Sequence, residues 1–358
     1  MIQTFSSTIR RKEMDAVLTC MVDEKLGPGE LNAKLIQTVK EFTGCDGAVA
    51  FRSPAIAFSY AAKALDLPAG SCVMISALAP SWHHAAVKNL GFNPLVLDVR
   101  EEDGLVSPES VQEGIKNGGR MLLLHETMGI LPALEEIIAM GIPVIEDISH
   151  SLGAVYKLSS SEDGQSKPEA LQKNAGMMGL YSILGLEAND SVTAGGGAVL
   201  IAPKRREWIV LKKHTDLAPE TDILPDMNSA LGFIQLKEFN RNEEIRRSLY
   251  DIFSKAISNG KNRTYVRESG EGESRSTIWS FPVVLNGSFK DAKQYAARKE
   301  IEIRPAYENS VISILGEEEQ TKCIHAKSLY LRCVLFPLYP RLGSESATKI
   351  AKVLGTLP

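Results

Sequence analysis

The stretch Pro143-Val144-Ile145-Glu146-Asp147-Ile148-Ser149-His150-Ser151-Leu152-Gly153-Ala154 reads as a short apolar strand that runs out into a polar loop, with Asp147 at the strand's carboxyl end. Ligands of open α/β sheets lie beyond the carboxyl ends of the parallel strands, so Asp147 and His150 are the first candidates for a site. Without further context Asp147 caps a loop and His150 is a satisfied, partly buried imidazole. Working outward, this run is one of seven: Ala48–Phe51, Cys72–Ile75, Pro94–Val99, Met121–Leu124, Pro143–Ile145, Met177–Ile183 and Ala198–Ile201. Helical patterns of i, i+3, i+4 spacing separate them, which is the signature of a mostly parallel sheet with helices on its faces.

Beyond the seventh run the chain changes character. A charged helical stretch, Leu231–Ser258, is followed by strand-like Thr277–Leu285 and Ile301–Pro305 and a closing helix, Ser344–Leu354. These readings predict a large domain over 1–250 and a small C-terminal α/β domain over 251–358, with residues 1–28 packing on the small domain. At 358 residues the chain exceeds the roughly 250–300 at which a single core stops growing. The polar, Ser-rich stretch Lys157–Pro168 reads as a surface loop inside the large domain.

A net charge of -4, with no basic run interleaved with aromatics, argues against a nucleic-acid partner. Five scattered cysteines contain no C-x-x-C pair, so they read as reduced core thiols rather than zinc or redox ligands, and no metal site is expected. His83 and His84 are adjacent, which on a helix turns them about 100° apart and makes them poor joint ligands. The N-terminus lacks an apolar signal core and no stretch approaches a membrane span, so a cytoplasmic protein with no membrane contact is expected.

The order of these segments resembles the sugar-nucleotide aminotransferases of the DegT/StrS type, and the Pro143–Ala154 segment carries the strongest match. The resemblance implies an aspartate aminotransferase-like transferase of fold type I: an α/β fold with a large, mostly parallel seven-stranded sheet and a small C-terminal α/β domain. It implies pyridoxal phosphate as cofactor, a nucleotide sugar as substrate, a place in polysaccharide biosynthesis, and a symmetric homodimer. Asp147 then falls where the family pairs a carboxylate with the pyridine nitrogen, which keeps that nitrogen protonated and the ring an electron sink. His150 matches the next cofactor contact, Ser182 a phosphate contact, and Ser53 the first residue of the phosphate cup.

Against that pattern several positions differ. The loop Ile183-Leu184-Gly185-Leu186-Glu187-Ala188-Asn189-Asp190-Ser191-Val192-Thr193 contains no lysine; Glu187 stands at the expected place, or Asn189 or Asp190 if the count runs back from Gly195-Gly196-Gly197. The cup reads Ser53-Pro54-Ala55, where Pro54 removes a backbone donor and Ser-Pro is equally an ordinary helix start. Pro80 falls at the position of the ring that covers the cofactor, and Trp82 or His83 reaches it only by a shift of two or three residues. The segment that reaches the partner's cofactor is replaced by Thr221-Asp222-Ile223-Leu224.

Transamination requires an amine that forms an imine, which neither Glu187 nor Asp190 supplies. Lys173 and Lys204 lie outside the loop. Two readings follow: a member that kept the fold, lost catalysis and binds a sugar nucleotide or partners another protein, or an active aminotransferase or dehydratase with a non-standard residue in place of lysine. An unrelated dinucleotide-binding dehydrogenase is disfavoured, because no G-x-G-x-x-G follows an early strand.

Overall fold

The computed structural model describes residues 1–158, 172–267 and 274–358. Most of the polar stretch Lys157–Pro168 lies outside them. The strands are β1 (Gly47–Phe51), β2 (Cys72–Ser76), β3 (Asn93–Leu97), β4 (Gly119–His125), β5 (Val144–Asp147), β6 (Val155–Lys157), β7 (Gln172–Asn174), β8 (Tyr181–Gly185), β9 (Ala198–Ala202), β10 (Phe281–Val284), β11 (Arg304–Pro305) and β12 (Cys333–Phe336). Seven of them form the main sheet in the order β1-β9-β8-β5-β4-β2-β3. Each overlaps one of the seven apolar runs. β9 runs antiparallel to both its neighbours and the other pairings are parallel. This is the mostly parallel α/β sheet expected from the sequence.

Strands buried on both faces read as continuous apolar runs rather than alternating ones. Accordingly, Leu122, Leu124, Val144 and Leu184 pack into one core, while Met121, Leu123, Ile145 and Ile183 pack into another on the opposite face. The helix Trp82–Asn89 contributes Ala86 and Val87 to the second core. A third core, built around Phe253, Phe281, Val283, Phe336 and Ile350, lies on the three-stranded antiparallel sheet β10-β12-β11. The closing helix spans Ser344–Leu354, as the sequence predicts.

Several elements differ from the sequence reading: the strands read as Thr277–Leu285 and Ile301–Pro305 are the shorter β10 and β11. The strand read as Met177–Ile183 begins only at Tyr181, because the buried Glu146 carboxylate accepts the backbone N–H groups of Gly176, Met178 and Gly179 and folds that segment into a turn. The helical stretch read as Leu231–Ser258 is two helices, Asp226–Lys237 and Phe239–Ile257. They break at Glu238, whose carboxylate binds Lys12 at 2.7 Å and Arg241 at 3.4 Å. The first residues lie on the small sheet, with Ile2 bridging Ile301 and Thr4 donating to Glu302, whereas the helix Arg11–Val22 packs beside Asp226–Lys237.

One long-range contact fixes how the helix Glu30–Thr43 starts. Its N-cap is Gly29, which has no side chain to satisfy the free N–H groups of a first turn. The buried carboxylate of Asp226 does so instead, accepting from Gly29 at 2.8 Å, Asn32 at 2.8 Å and Leu31 at 3.1 Å. Asp226→Ala strands these donors, and urea unfolding is expected to show a loss of roughly 2–4 kcal/mol.

Candidate active site

β4 and β5 are parallel neighbours with His125 in register with Asp147. Residues in register on adjacent strands share a face, so the two side chains meet at the carboxyl edge of the sheet. Nδ1–H of His125 donates to Oδ2 of Asp147 at 2.9 Å. The helix Trp82–Asn89 covers the same face and brings His83, whose Nε2–H donates to the same oxygen at 2.8 Å. The other carboxylate oxygen, Oδ1, accepts the backbone N–H of Ser149 at 3.1 Å and the Ser149 hydroxyl. Asp147 and His83 have no exposed surface and His125 has 2%.

Burial alone pushes a carboxyl group upward, but here the adjacent His125 and His83 hold Asp147 well below the usual carboxylate range. Asp147 is therefore an anion, and each imidazole nitrogen facing it carries a proton. Burial pushes His83 and His150 down, His150 strongly, so both rings are neutral near pH 7. Behind this cluster, on the opposite face of the sheet, burial and the neighbouring Glu146 raise Glu126 well above its usual range; Oε1 of Glu126 accepts the Tyr156 hydroxyl at 2.7 Å.

The rings form a column. The His83 and His125 centroids lie 5.9 Å apart, those of His125 and His150 4.7 Å, and His150 stacks on Trp279 at 3.6 Å with 15° between the planes. Trp279 is anchored by its indole N–H on the carbonyl of Asn189, at 2.8 Å. Next to the column is a cavity of ≈ 210 Å³, lined by His125, Thr127, Met128, His150, Asn189, Trp279, Arg304, Tyr307 and Pro80 among others. Thr127 Oγ1 and His150 Nδ1 are buried without a hydrogen-bond partner among the described residues.

The expected site residues separate into two groups. His150 and Asn189 reach the cavity, and Asp147 lies behind His125. Trp82 packs its ring on His83 at 4.2 Å, and Ser53, Ser182 and Glu187 do not line the cavity either. Ser53 accepts the Ile56 N–H as the N-cap of the helix Pro54–Leu65, and the Ser182 hydroxyl donates to the Gly176 carbonyl at 2.9 Å. Glu187 is exposed, and its backbone N–H is held by Asp190 at 2.7 Å. Burial pushes Asp190 up to about 8, and the charge of Asp147 adds to the rise.

This arrangement does not fit pyridoxal phosphate. The pyridinium needs a free carboxylate oxygen, but both oxygens of Asp147 are engaged and none is exposed. The phosphate needs a cradle of free donors, but the Ser182 hydroxyl already donates to the Gly176 carbonyl, and Ser53, which accepts the Ile56 N–H, does not line the cavity. The aldehyde needs a lysine, and none lies among the described residues lining the cavity.

His125 and Trp279 went unread in the sequence. His125 had a usable signal, since it directly follows the apolar run Met121–Leu124 at a strand's carboxyl end, as Asp147 follows its own. Trp279 had none: it comes from the chain between the two sheets. Among the described residues, His83, His125 and Asp147 are also a cluster whose donor atoms lie within 4.8 Å of one another. In the structure two N–H donors share one oxygen.

The profile of the DegT/DnrJ/EryC1/StrS aminotransferase family matches residues 7–355. EpsN of Bacillus subtilis, assigned as a pyridoxal phosphate-dependent aminotransferase, is 22% identical over 308 residues, covering 78% of this chain and 74% of EpsN. Similar solved structures include a sugar aminotransferase assigned in Streptococcus pneumoniae, in its PLP form (TM-score 0.83, 15% identity, 98% and 96% of the two chains). An aminotransferase from Psychrobacter cryohalolentis has TM-score 0.83 and 18% identity over 98% and 97%. The GDP-4-keto-6-deoxymannose-3-dehydratase ColD with bound GDP-perosamine has TM-score 0.81 and 16% identity over 99% and 100%.

The neutral state of His150 has a measurable consequence. The folded ring resists protonation while the unfolded one accepts a proton near pH 6.5, so its contribution to stability is present above pH 6.5 and lost as pH falls below it. In urea unfolding from pH 8 to pH 5, the stability of the native chain relative to His150→Gln is expected to decline below pH 6.5.

Proposed function

Because the chain belongs to the DegT/DnrJ/EryC1/StrS aminotransferase family, we propose that it is a sugar-nucleotide-binding member that works without pyridoxal phosphate. The observation that carries this reading is the closed Asp147 carboxylate, held by His83, His125 and Ser149 where the family resemblance calls for the pyridinium. The lysine-free loop supports it, because Glu187 and Asp190 hydrogen-bond each other's backbone and close a turn. Lys173 sits in the β6-β7 ribbon and Lys204 caps the helix Arg205–Thr215, so neither replaces the missing amine.

The ligand class follows from relatives and from the cavity together. ColD is named for a GDP-linked 4-keto sugar, and its solved form holds a GDP-linked sugar. The cavity here, ≈ 210 Å³, is smaller than the roughly 300–1,000 Å³ of usual ligand pockets and suits one sugar ring rather than a whole nucleotide sugar. Its walls combine apolar Trp279, Met128 and Leu78 with polar Thr127, His150 and Arg304, which is what a hydroxylated ring requires.

Titration of the purified chain with pyridoxal phosphate, followed by borohydride reduction and peptide mapping, is expected to give no visible imine band and no modified lysine. A lysine fixed by borohydride overturns the reading and restores the alternative, an active aminotransferase with a substitute residue. In parallel, calorimetry with GDP-4-keto-6-deoxymannose is expected to show binding.

The same reading includes the homodimer. On the helix Arg11–Val22, Met14, Leu18, Met21 and Val22 are 56%, 57%, 56% and 73% exposed at helical spacing, an apolar stripe suited to a second copy. Light scattering is expected to give a dimer mass for the native chain and a monomer mass for Leu18→Glu.

A further inference from the structure

The hydrogen bond between His125 Nδ1 and Asp147 fixes the tautomer of the ring. In the neutral imidazole the lone pair is then on Nε2, which has no hydrogen-bond partner among the described residues, on a ring that lines the cavity. A carboxylate that orients one nitrogen of an imidazole while the other faces a ligand is the arrangement of a general base. Asp147 is itself held by His83 and Ser149, so the orientation does not depend on the ligand.

Two residues along the chain, Thr127 is among the residues that line the same cavity; it is 1% exposed, and its buried Oγ1 has no hydrogen-bond partner among the described residues. The segment that joins it to the cavity floor is strained and pinned. Met128 is a non-glycine residue at φ 58, and a Cβ on Gly129, at φ 77, would meet the Thr277 carbonyl oxygen at 2.5 Å and that of His150 at 2.8 Å. Arg267 holds the Met128 carbonyl at 2.7 Å. Left-handed backbone held in place by its surroundings is a recurring feature of functional sites.

We propose that this cavity catalyses a cofactor-independent proton transfer at the carbon next to a ligand carbonyl, with His125 as the base and the Thr127 hydroxyl as hydrogen-bond donor to the carbonyl oxygen. Nε2 takes the proton as the C–H bond breaks. The C–H electron pair becomes the C=C bond of an enolate, and the carbonyl π pair moves onto oxygen, where Thr127 meets it. The imidazolium formed is stabilised by Asp147, and returning a proton to the same carbon regenerates ketone and neutral His125. No oxidant, reductant or further reactant is needed. His83 and Asp147 are positioning residues in this scheme. The inference rests on the keto-sugar reading of the cavity.

The full chain is incubated in D₂O with the GDP-linked 4-keto sugar of the binding test, and the proton signals flanking the keto group are followed by NMR against a protein-free control. The native chain is expected to exchange them over many turnovers. His125→Gln is expected to lower the rate by about 100-fold or more while calorimetric binding persists. Thr127→Val breaks no side-chain hydrogen bond among the described residues and is expected to cost at least about tenfold. Asp147→Asn is expected to shift the pH profile of exchange as well as its rate. Binding with exchange no faster than the control, or exchange unchanged in His125→Gln, overturns the proton-transfer proposal and leaves the binding reading standing. Absence of binding overturns both.

Discussion

The structure depends on how one buried negative charge is satisfied. Taking a carboxylate out of water costs several kcal/mol even after the protein relaxes, and Asp147 is completely buried. Four hydrogen bonds offset that cost, two on each oxygen: His83 and His125 on Oδ2, and the backbone N–H and hydroxyl of Ser149 on Oδ1. Ser149 ties the cluster further into the sheet, since its hydroxyl also accepts the N–H of Gly185 at 2.9 Å. β4, β5, β8 and the helix Trp82–Asn89 therefore converge on one carboxylate. Removing any one donor leaves the charge under-satisfied, and that explains why so many elements meet there with little freedom.

The same closure leaves Asp147 with no oxygen free to face a cofactor. A carboxylate can stabilise a cofactor only through an oxygen that faces it. In this chain imidazoles occupy that direction, and the stacked pair His150–Trp279 extends them toward the cavity. The differences at the lysine loop, the Ser-Pro helix start and Pro80 are mutually consistent. At each of them the chain serves its own backbone: Asp190 holds the Glu187 N–H, Ser53 accepts the Ile56 N–H, and Pro80 forms a bridge to Ser310.

The fold was legible because burial on both faces writes itself into sequence as apolar runs, as in β4, β5, β8 and β9, and the half-buried edge strand β3 still showed as the run Pro94–Val99. Their ends were less legible where a distant group intervenes. Glu146 captures three backbone N–H groups and delays β8, and Glu238, ion-paired with Lys12 of the first helix, breaks what reads as one long helix. At the site the sequence gives positions but not directions. Asp147 and His150 were identifiable from their place after a strand. Whether Ser182 and Ser53 point outward or back onto the chain depends on the turn at Gly176 and on the cap of a helix, and no local pattern distinguishes these outcomes. His83 was weighed as a ring to stack on a cofactor, and it proved to be a donor to the carboxylate.

The alternation of a β-strand explains how two opposite electrostatic regimes coexist one residue apart. Glu146 and Asp147 are successive in β5, so their side chains leave on opposite faces. On Asp147's face, imidazole donors make the anion the favoured form. On Glu146's face the neighbour is another carboxyl, Glu126, and burial without a cation favours the protonated form of at least one of the two. The sheet thus keeps its charged carboxylate on the side where His125 borders the cavity and its protonated one on the side of the β6-β7 ribbon, where Tyr156 meets it. A proton moving between these groups would have to cross the sheet itself, so the charge state at Asp147 is set by the histidines around it, not by the acid pair behind it.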